Sequence, residues 1–106
     1  MVTLIGMGSG SWEALSAQAQ DAVRRAGLVF GAKRLLAGLP PECTARQFAL
    51  YQPAEILEML AQAPGQDAAV LYSGDTGFYS GASGLLTPLR ALGIPARVYP
   101  GVSSIQ

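Results

Sequence analysis

The run Ala68–Tyr72, AAVLY, constrains the fold more than any other stretch of this sequence. Successive strand residues point to opposite faces of a sheet, so a strand that is apolar at every position is covered on both sides. Such strands belong to parallel sheets, whose crossover connections lay helices over the two faces. The rest of the chain supplies matching parts. Apolar runs at Val2–Ile5, Leu28–Phe30 and Ala96–Tyr99, with a weaker one around Gln47–Ala49, read as further strands.

Helices are expected between them. Ser16 suits the N-cap of one whose apolar face is Ala19, Ala22, Val23 and Ala26, with Gly27 closing it. A short helix over Ala32–Ala37 is stopped by Gly38 and the Pro40-Pro41 pair. Pro53 opens a third, carrying Ile56, Leu57, Leu60 and Ala61 inward and ending at Pro64-Gly65. A fourth runs over Ser80–Leu92 to a stop at Gly93, with a kink or a fresh first turn at Pro88.

This alternation predicts an α/β fold: three layers, with a mainly parallel sheet between flanking helices, in one domain over residues 1–106. Ligands of such folds bind beyond the carboxyl ends of the strands. Three polar, glycine-rich stretches are expected to converge there: Gly6–Gly10, Ser73–Gly77 and Pro100–Ser104. The second lies inside VLYSGDTGFYSG, where Asp75 follows Gly74 and the aromatics Phe78 and Tyr79 follow Gly77.

Composition narrows the chemistry. Seven basic and seven acidic residues cancel and neither sign forms a block, which argues against a nucleic-acid stripe or a polybasic membrane anchor. No histidine is present, so Ser-His-Asp and Cys-His catalysis are excluded, and a metal site of nitrogen and sulfur ligands is not expected. The single cysteine, Cys43, reads as a small buried or loop thiol. Neither a signal peptide nor a spanning stretch is visible, which makes a cytoplasmic home the expectation.

GMGSG invites a dinucleotide-binding reading, and the residues refuse it. The third glycine of that fingerprint would fall at Ser11, and no Asp or Glu occurs between Asp21 and Glu42 to hold a ribose. A phosphate-binding loop fails too, because no Gly-Lys-Ser/Thr follows. The glycines by themselves describe a tight strand-to-helix turn.

Taken together, LIGMGSG, LSAQAQDAVRRAGLVFGAKRLL, LYSGDTGFYSG and YPGVSSIQ resemble the loops and first helix of the tetrapyrrole methylase family. Those enzymes use S-adenosylmethionine in corrin and sirohaem synthesis. GAKRLL, SGDTGFYS and PGVSSIQ most resemble the branch that methylates C5 of a late precorrin (the CbiE/CobL type). Two departures stand out: Ser9 and Thr76 occupy positions where family members usually or often have proline. The family has two α/β domains with the methyl donor folded between them, and the resemblance makes this chain the amino-terminal one.

The resemblance implies a precorrin C-methyltransferase, with S-adenosylmethionine contacted by Ser9, Ser73, Gly74, Asp75, Phe78, Ser103 and Ser104. It puts Gly8, Gly10, Lys33 and Arg34 on the substrate side, the two cations facing the acetate and propionate groups of a tetrapyrrole. Each residue also has a plainer role. Asp75, Ser103 and Ser104 suit helix caps, Lys33 and Arg34 a solvated helix face, Phe78 and Tyr79 the core, and Trp12 and Glu13 the packing or solvation of the first loop. No catalytic base is assigned. A homodimer is expected, as is self-association of the single domain. Alternatives are another member of the family, acting on uroporphyrinogen or a different precorrin, and a non-catalytic assembly or ligand-binding module.

Overall fold

The computed structural model describes residues 1–7, 12–41, 43–63, 65–72 and 77–99. Five strands, β1 (Val2–Gly6), β2 (Leu28–Phe30), β3 (Arg46–Phe48), β4 (Ala68–Tyr72) and β5 (Ala96–Tyr99), form one sheet in the order β3-β2-β4-β1-β5. Every pairing is parallel. The helices are α1 (Ala17–Arg25), α2 (Lys33–Leu36), α3 (Pro53–Gln62) and α4 (Gly77–Ala91), preceded by a 3-10 turn at Trp12–Ala14. The three-layer α/β reading therefore holds.

Period-two alternation sorts the strands into two cores. Val2, Leu4, Leu28, Phe30, Ala68 and Val70 pack with Ile56 and Leu60 of α3 and Leu85 and Leu89 of α4. Ile5, Val29, Ala69 and Leu71 pack on the other face with Ala19 and Val23 of α1, Leu35 and Leu36 of α2, and Trp12. Connections that step one way along the sheet, β1 to β2 and β2 to β3, put α1 and α2 on one face. Those that step back, β3 to β4 and β4 to β5, put α3 and α4 on the other. A single crossover hand produces this division.

Local signals act much as anticipated at most helix ends. The Ser16 side chain accepts a hydrogen bond from the Ala19 amide at 3.2 Å, and Pro53 occupies the first turn of α3. Gly93, at φ +73°, ends α4. Its amide donates to the Arg90 carbonyl at 3.1 Å, and the Ile94 amide donates to the Leu89 carbonyl at 2.9 Å. That paired bonding is the Schellman arrangement, with Ile94 and Leu89 in apolar contact with the same core.

Five expectations are corrected. Gly27 does not cap α1 through a left-handed turn. Ala26 ends the helix with extended backbone (φ −69°, ψ 142°), and the Gly27 amide donates to the Asp67 carbonyl at 2.8 Å, beginning the approach to β4. Ala61 is exposed, because it lies about 100° further round α3 than Leu60 and so leaves the Ile56–Leu60 seam. β3 starts one residue earlier than the expected Gln47, since Phe48 pairs with Phe30 and their rings stack at 5.4 Å. A one-residue slip would turn Phe48 to the opposite face.

α4 begins at Gly77, three residues before the expected Ser80. It continues through Pro88 without a break in assignment, and the Leu92 amide bonds to the Pro88 carbonyl at 3.0 Å. Leu85 and Leu89, both fully buried, hold this weak helix-forming stretch against the sheet. Burying two such leucines contributes about 3–6 kcal/mol, enough to outweigh its glycines.

Candidate functional site

Three strands end side by side. Gly6 of β1 is level with Tyr72 of β4, and Ile5 with Tyr99 of β5. The ladder runs one residue further: the Met7 amide donates to the Tyr72 carbonyl at 2.8 Å, with Met7 buried. Met7 lies within the first of the polar stretches that the sequence singles out, and Tyr72 and Tyr99 immediately precede the other two. Gly8, Ser9, Gly10, Ser73, Gly74, Asp75, Ser103 and Ser104 themselves lie outside the described residues, as does the side chain of Phe78.

The connections that leave the neighbouring strands β1 and β4 go to opposite faces of the sheet. From β1 the chain passes over β4 to β2 with α1 on one face; from β4 it passes over β1 to β5 with α4 on the other. Connections that leave neighbouring strands for opposite faces are those between which ligands of open parallel sheets bind, beyond the carboxyl ends. Met7 and Tyr72 are the last described residues at these two strand ends.

A fourth strand end joins the rim through a glycine. An added Cβ on Gly31 would lie 3.0 Å from the Leu71 Cβ and 3.3 Å from the Leu71 carbonyl oxygen. Only a bare α-carbon lets the β2–α2 turn lie this close to the end of β4. Lys33 and Arg34 follow directly in α2, both exposed. Arg34 lines a cavity of about 150 Å³ with Ala32, Leu35, Tyr51, Leu71 and Tyr72. Lys33 does not, so the structure separates the two cations that the sequence treats as a pair.

Tyr51 and Tyr72 escaped the sequence reading as site residues. Tyr72 closes an apolar strand and Tyr51 precedes a helix, so neither position carries a local signal for a binding role. Burial pushes the Tyr72 phenol up to about 12, so it stays protonated at neutral pH and keeps a hydrogen to donate. Tyr51 is 61% exposed and borders the same cavity as Tyr72.

Ahead of α1 the chain is anchored at Trp12. Trp12 is buried among the α1-face core, Gln20 donates to its carbonyl at 2.9 Å, and the Arg24 guanidinium stands 5.6 Å from its ring centroid. The packing role expected of Trp12 therefore holds, while Glu13 is exposed. Cys43 is a buried cysteine in the same core.

Two larger recesses open elsewhere. A polar one of about 290 Å³ lies between α1 and β5, bordered by Thr3, Asp21, Arg25, Asp67 and Arg97. An apolar one of about 420 Å³ opens at the amino edge of the sheet, bordered by Val2, Leu60, Leu92, Ile94 and Pro95. Neither is bordered by Met7 or Tyr72. Among the described residues, no group of three or more His, Cys, Asp or Glu side chains is placed to hold a metal ion, and no helix is long and apolar enough to cross a membrane.

The family model for tetrapyrrole (corrin/porphyrin) methylases matches residues 1–106. Among solved structures, a uroporphyrin-III-C-methyltransferase from Thermus thermophilus superposes with a TM-score of 0.70 at 28% identity, over 97% of this chain and 47% of that one. A cobalt precorrin-4 methyltransferase, CbiF, superposes with a TM-score of 0.73 at 20% identity, over 97% of this chain and 46% of that one; at that identity the likeness concerns the fold. The chain thus spans about half the length of the structures it matches. Among curated protein sequences none matches it.

Proposed function

This chain belongs to the tetrapyrrole methylase family, and on that premise we propose that it is the amino-terminal α/β unit of an S-adenosylmethionine-dependent C-methyltransferase acting on a precorrin. The observation that carries the reading is the shared carboxyl end of β1 and β4 at Met7 and Tyr72, from which the chain leaves for opposite faces of the sheet. The methyl donor fits there on chemical grounds. A zwitterionic nucleoside needs backbone and small polar groups that approach closely, and the three stretches leaving this rim are rich in glycine, serine and aspartate.

S-adenosylmethionine supplies an electrophilic methyl on sulfonium, and the protein's part is binding, orientation and exclusion of water. We assign Ser73, Gly74, Asp75, Phe78, Ser103, Ser104 and Ser9 to the donor, with the Asp75 carboxylate accepting from its amino or hydroxyl groups. Gly8, Gly10, Lys33 and Arg34 are assigned to the macrocycle. Arg34, at the rim and without an ion pair among the described residues, offers its fork of donors to a carboxylate substituent. A second α/β domain is proposed to complete the trough, with the enzyme acting as a homodimer.

C5 of a late precorrin is the site we favour, on the wording of GAKRLL, SGDTGFYS and PGVSSIQ. The second reading is a uroporphyrinogen substrate, which the 28% identity to the Thermus thermophilus enzyme supports. Label transfer separates them. The two-domain protein, given methyl-labelled S-adenosylmethionine with either substrate, is expected to label the late precorrin. Labelling of uroporphyrinogen alone selects the second reading, and labelling of neither rejects both.

A further inference from the structure

The cavity beside the end of β4 has a chemistry of its own. Among the described residues its lining comprises one guanidinium, Arg34, two phenols, Tyr51 and Tyr72, and the apolar side chains of Ala32, Leu35 and Leu71. Among the described residues no carboxylate borders it, and the described polar side chains facing it offer hydrogen-bond donors with one full positive charge. Its size is equally selective. About 150 Å³ is below the roughly 300 Å³ at which cavities begin to enclose drug-sized ligands. That volume suits a two- or three-carbon chain ending in a carboxylate.

We infer that this cavity is a subsite for a single carboxylate-bearing arm of the tetrapyrrole, with Tyr51 and Tyr72 acting beside Arg34 as specificity-determining residues. The inference rests on the proposed tetrapyrrole substrate and adds where one of its arms is read. Arg34 grips the carboxylate through parallel N–H donors. The phenols of Tyr51 and Tyr72 donate to the same oxygens, and Leu35 and Leu71 cover the methylene stem. Tyr72 ties the arm to the reacting centre, because its own carbonyl accepts the Met7 amide at the shared carboxyl end of β1 and β4. An arm seated here fixes how the ring above can rotate, and hence which ring carbon faces the donor.

The test uses uroporphyrin III and its octamethyl ester, followed by fluorescence titration of the two-domain protein. Titration of S-adenosylmethionine runs alongside as a separate arm. The free acid is expected to bind about ten-fold more tightly than the ester, with a preference that shrinks as salt is raised. Arg34→Gln erases that preference, while Tyr51→Phe and Tyr72→Phe each reduce it several-fold, with thermal midpoints at neutral pH close to the parent's. Tyr51 is exposed, so its variant tests the idea without disturbing the core. An unchanged preference in Arg34→Gln, or equal binding of acid and ester by the parent, overturns the subsite. If that happens while S-adenosylmethionine still binds, the methyltransferase reading survives. If the acid preference is found and S-adenosylmethionine does not bind, the subsite stands and the donor assignment falls.

Discussion

The Met7 amide and the Tyr72 carbonyl meet at 2.8 Å, joining two strand ends that are 65 positions apart in sequence (72 − 7). This bond lies between two strands whose connections leave for opposite faces of the sheet, at the carboxyl edge where ligands of such sheets bind. Everything proposed about function is built outward from it.

Tyr72 makes folding stability depend on alkaline pH. Its phenol titrates near 12 in the folded chain and near 10 when unfolded, because burial disfavours the phenolate. The unfolded state therefore loses its proton first. The stabilisation that comes from keeping the phenol neutral is complete below pH 10 and lost as pH rises from about 10 to about 12. Thermal midpoints recorded across that window should fall, and Tyr72→Phe should flatten the fall. An equally steep decline in the variant would assign it to other groups.

Gly31→Ala and Gly93→Ala should both destabilise, for different reasons. At Gly31 the new methyl meets the Leu71 Cβ and carbonyl at 3.0 and 3.3 Å, an overpacking that costs about 1–3 kcal/mol. At Gly93 nothing lies within 4 Å, but φ is +73°, so the cost is the roughly 1–2 kcal/mol of a left-handed L-residue. Urea unfolding gives both values. Only Gly31→Ala should also weaken binding at the rim, since only it shifts the turn that leads to Arg34.

Asp75→Asn distinguishes a donor contact from a helix cap. Loss of a charged acceptor should weaken S-adenosylmethionine binding by the two-domain protein about ten-fold in calorimetry. A cap role would instead lower the thermal midpoint and leave affinity alone. A unit of residues 1–106 tested alone should show no tight, stoichiometric heat with S-adenosylmethionine if, as proposed, a second α/β domain supplies the other wall of the cleft.

Sedimentation of the 106-residue chain should reveal self-association. Leu92 is 64% exposed beside an apolar recess of about 420 Å³, and apolar surface of that kind is usually covered in a soluble assembly. Leu92→Glu should shift the population toward monomer. A single monomeric boundary for the parent chain at high concentration would contradict the expectation.

The sequence by itself determined the elements, because their signals are local. Ser16 caps α1 with its own side chain, Pro53 sets the first turn of α3, and Ala68–Tyr72 declares a doubly covered strand by lacking any polar position. It also identified the three stretches that leave the carboxyl rim, and Arg34 among the cations beside it.

What only the tertiary structure decided was everything that depends on which elements are neighbours. Strand order placed β4 between β1 and β2, and so brought Met7 to Tyr72 and Gly31 against Leu71. It set the β3 register through the Phe30–Phe48 stack, gave Gly27 a partner in Asp67 instead of a capping turn, and drew α4 back to Gly77 by burying Leu85 and Leu89. Tyr51 joined Tyr72 around one cavity for the same reason. Caps and periodicities act within a few residues along the chain, whereas these contacts arise between segments that meet only when the apolar faces of the sheet are buried.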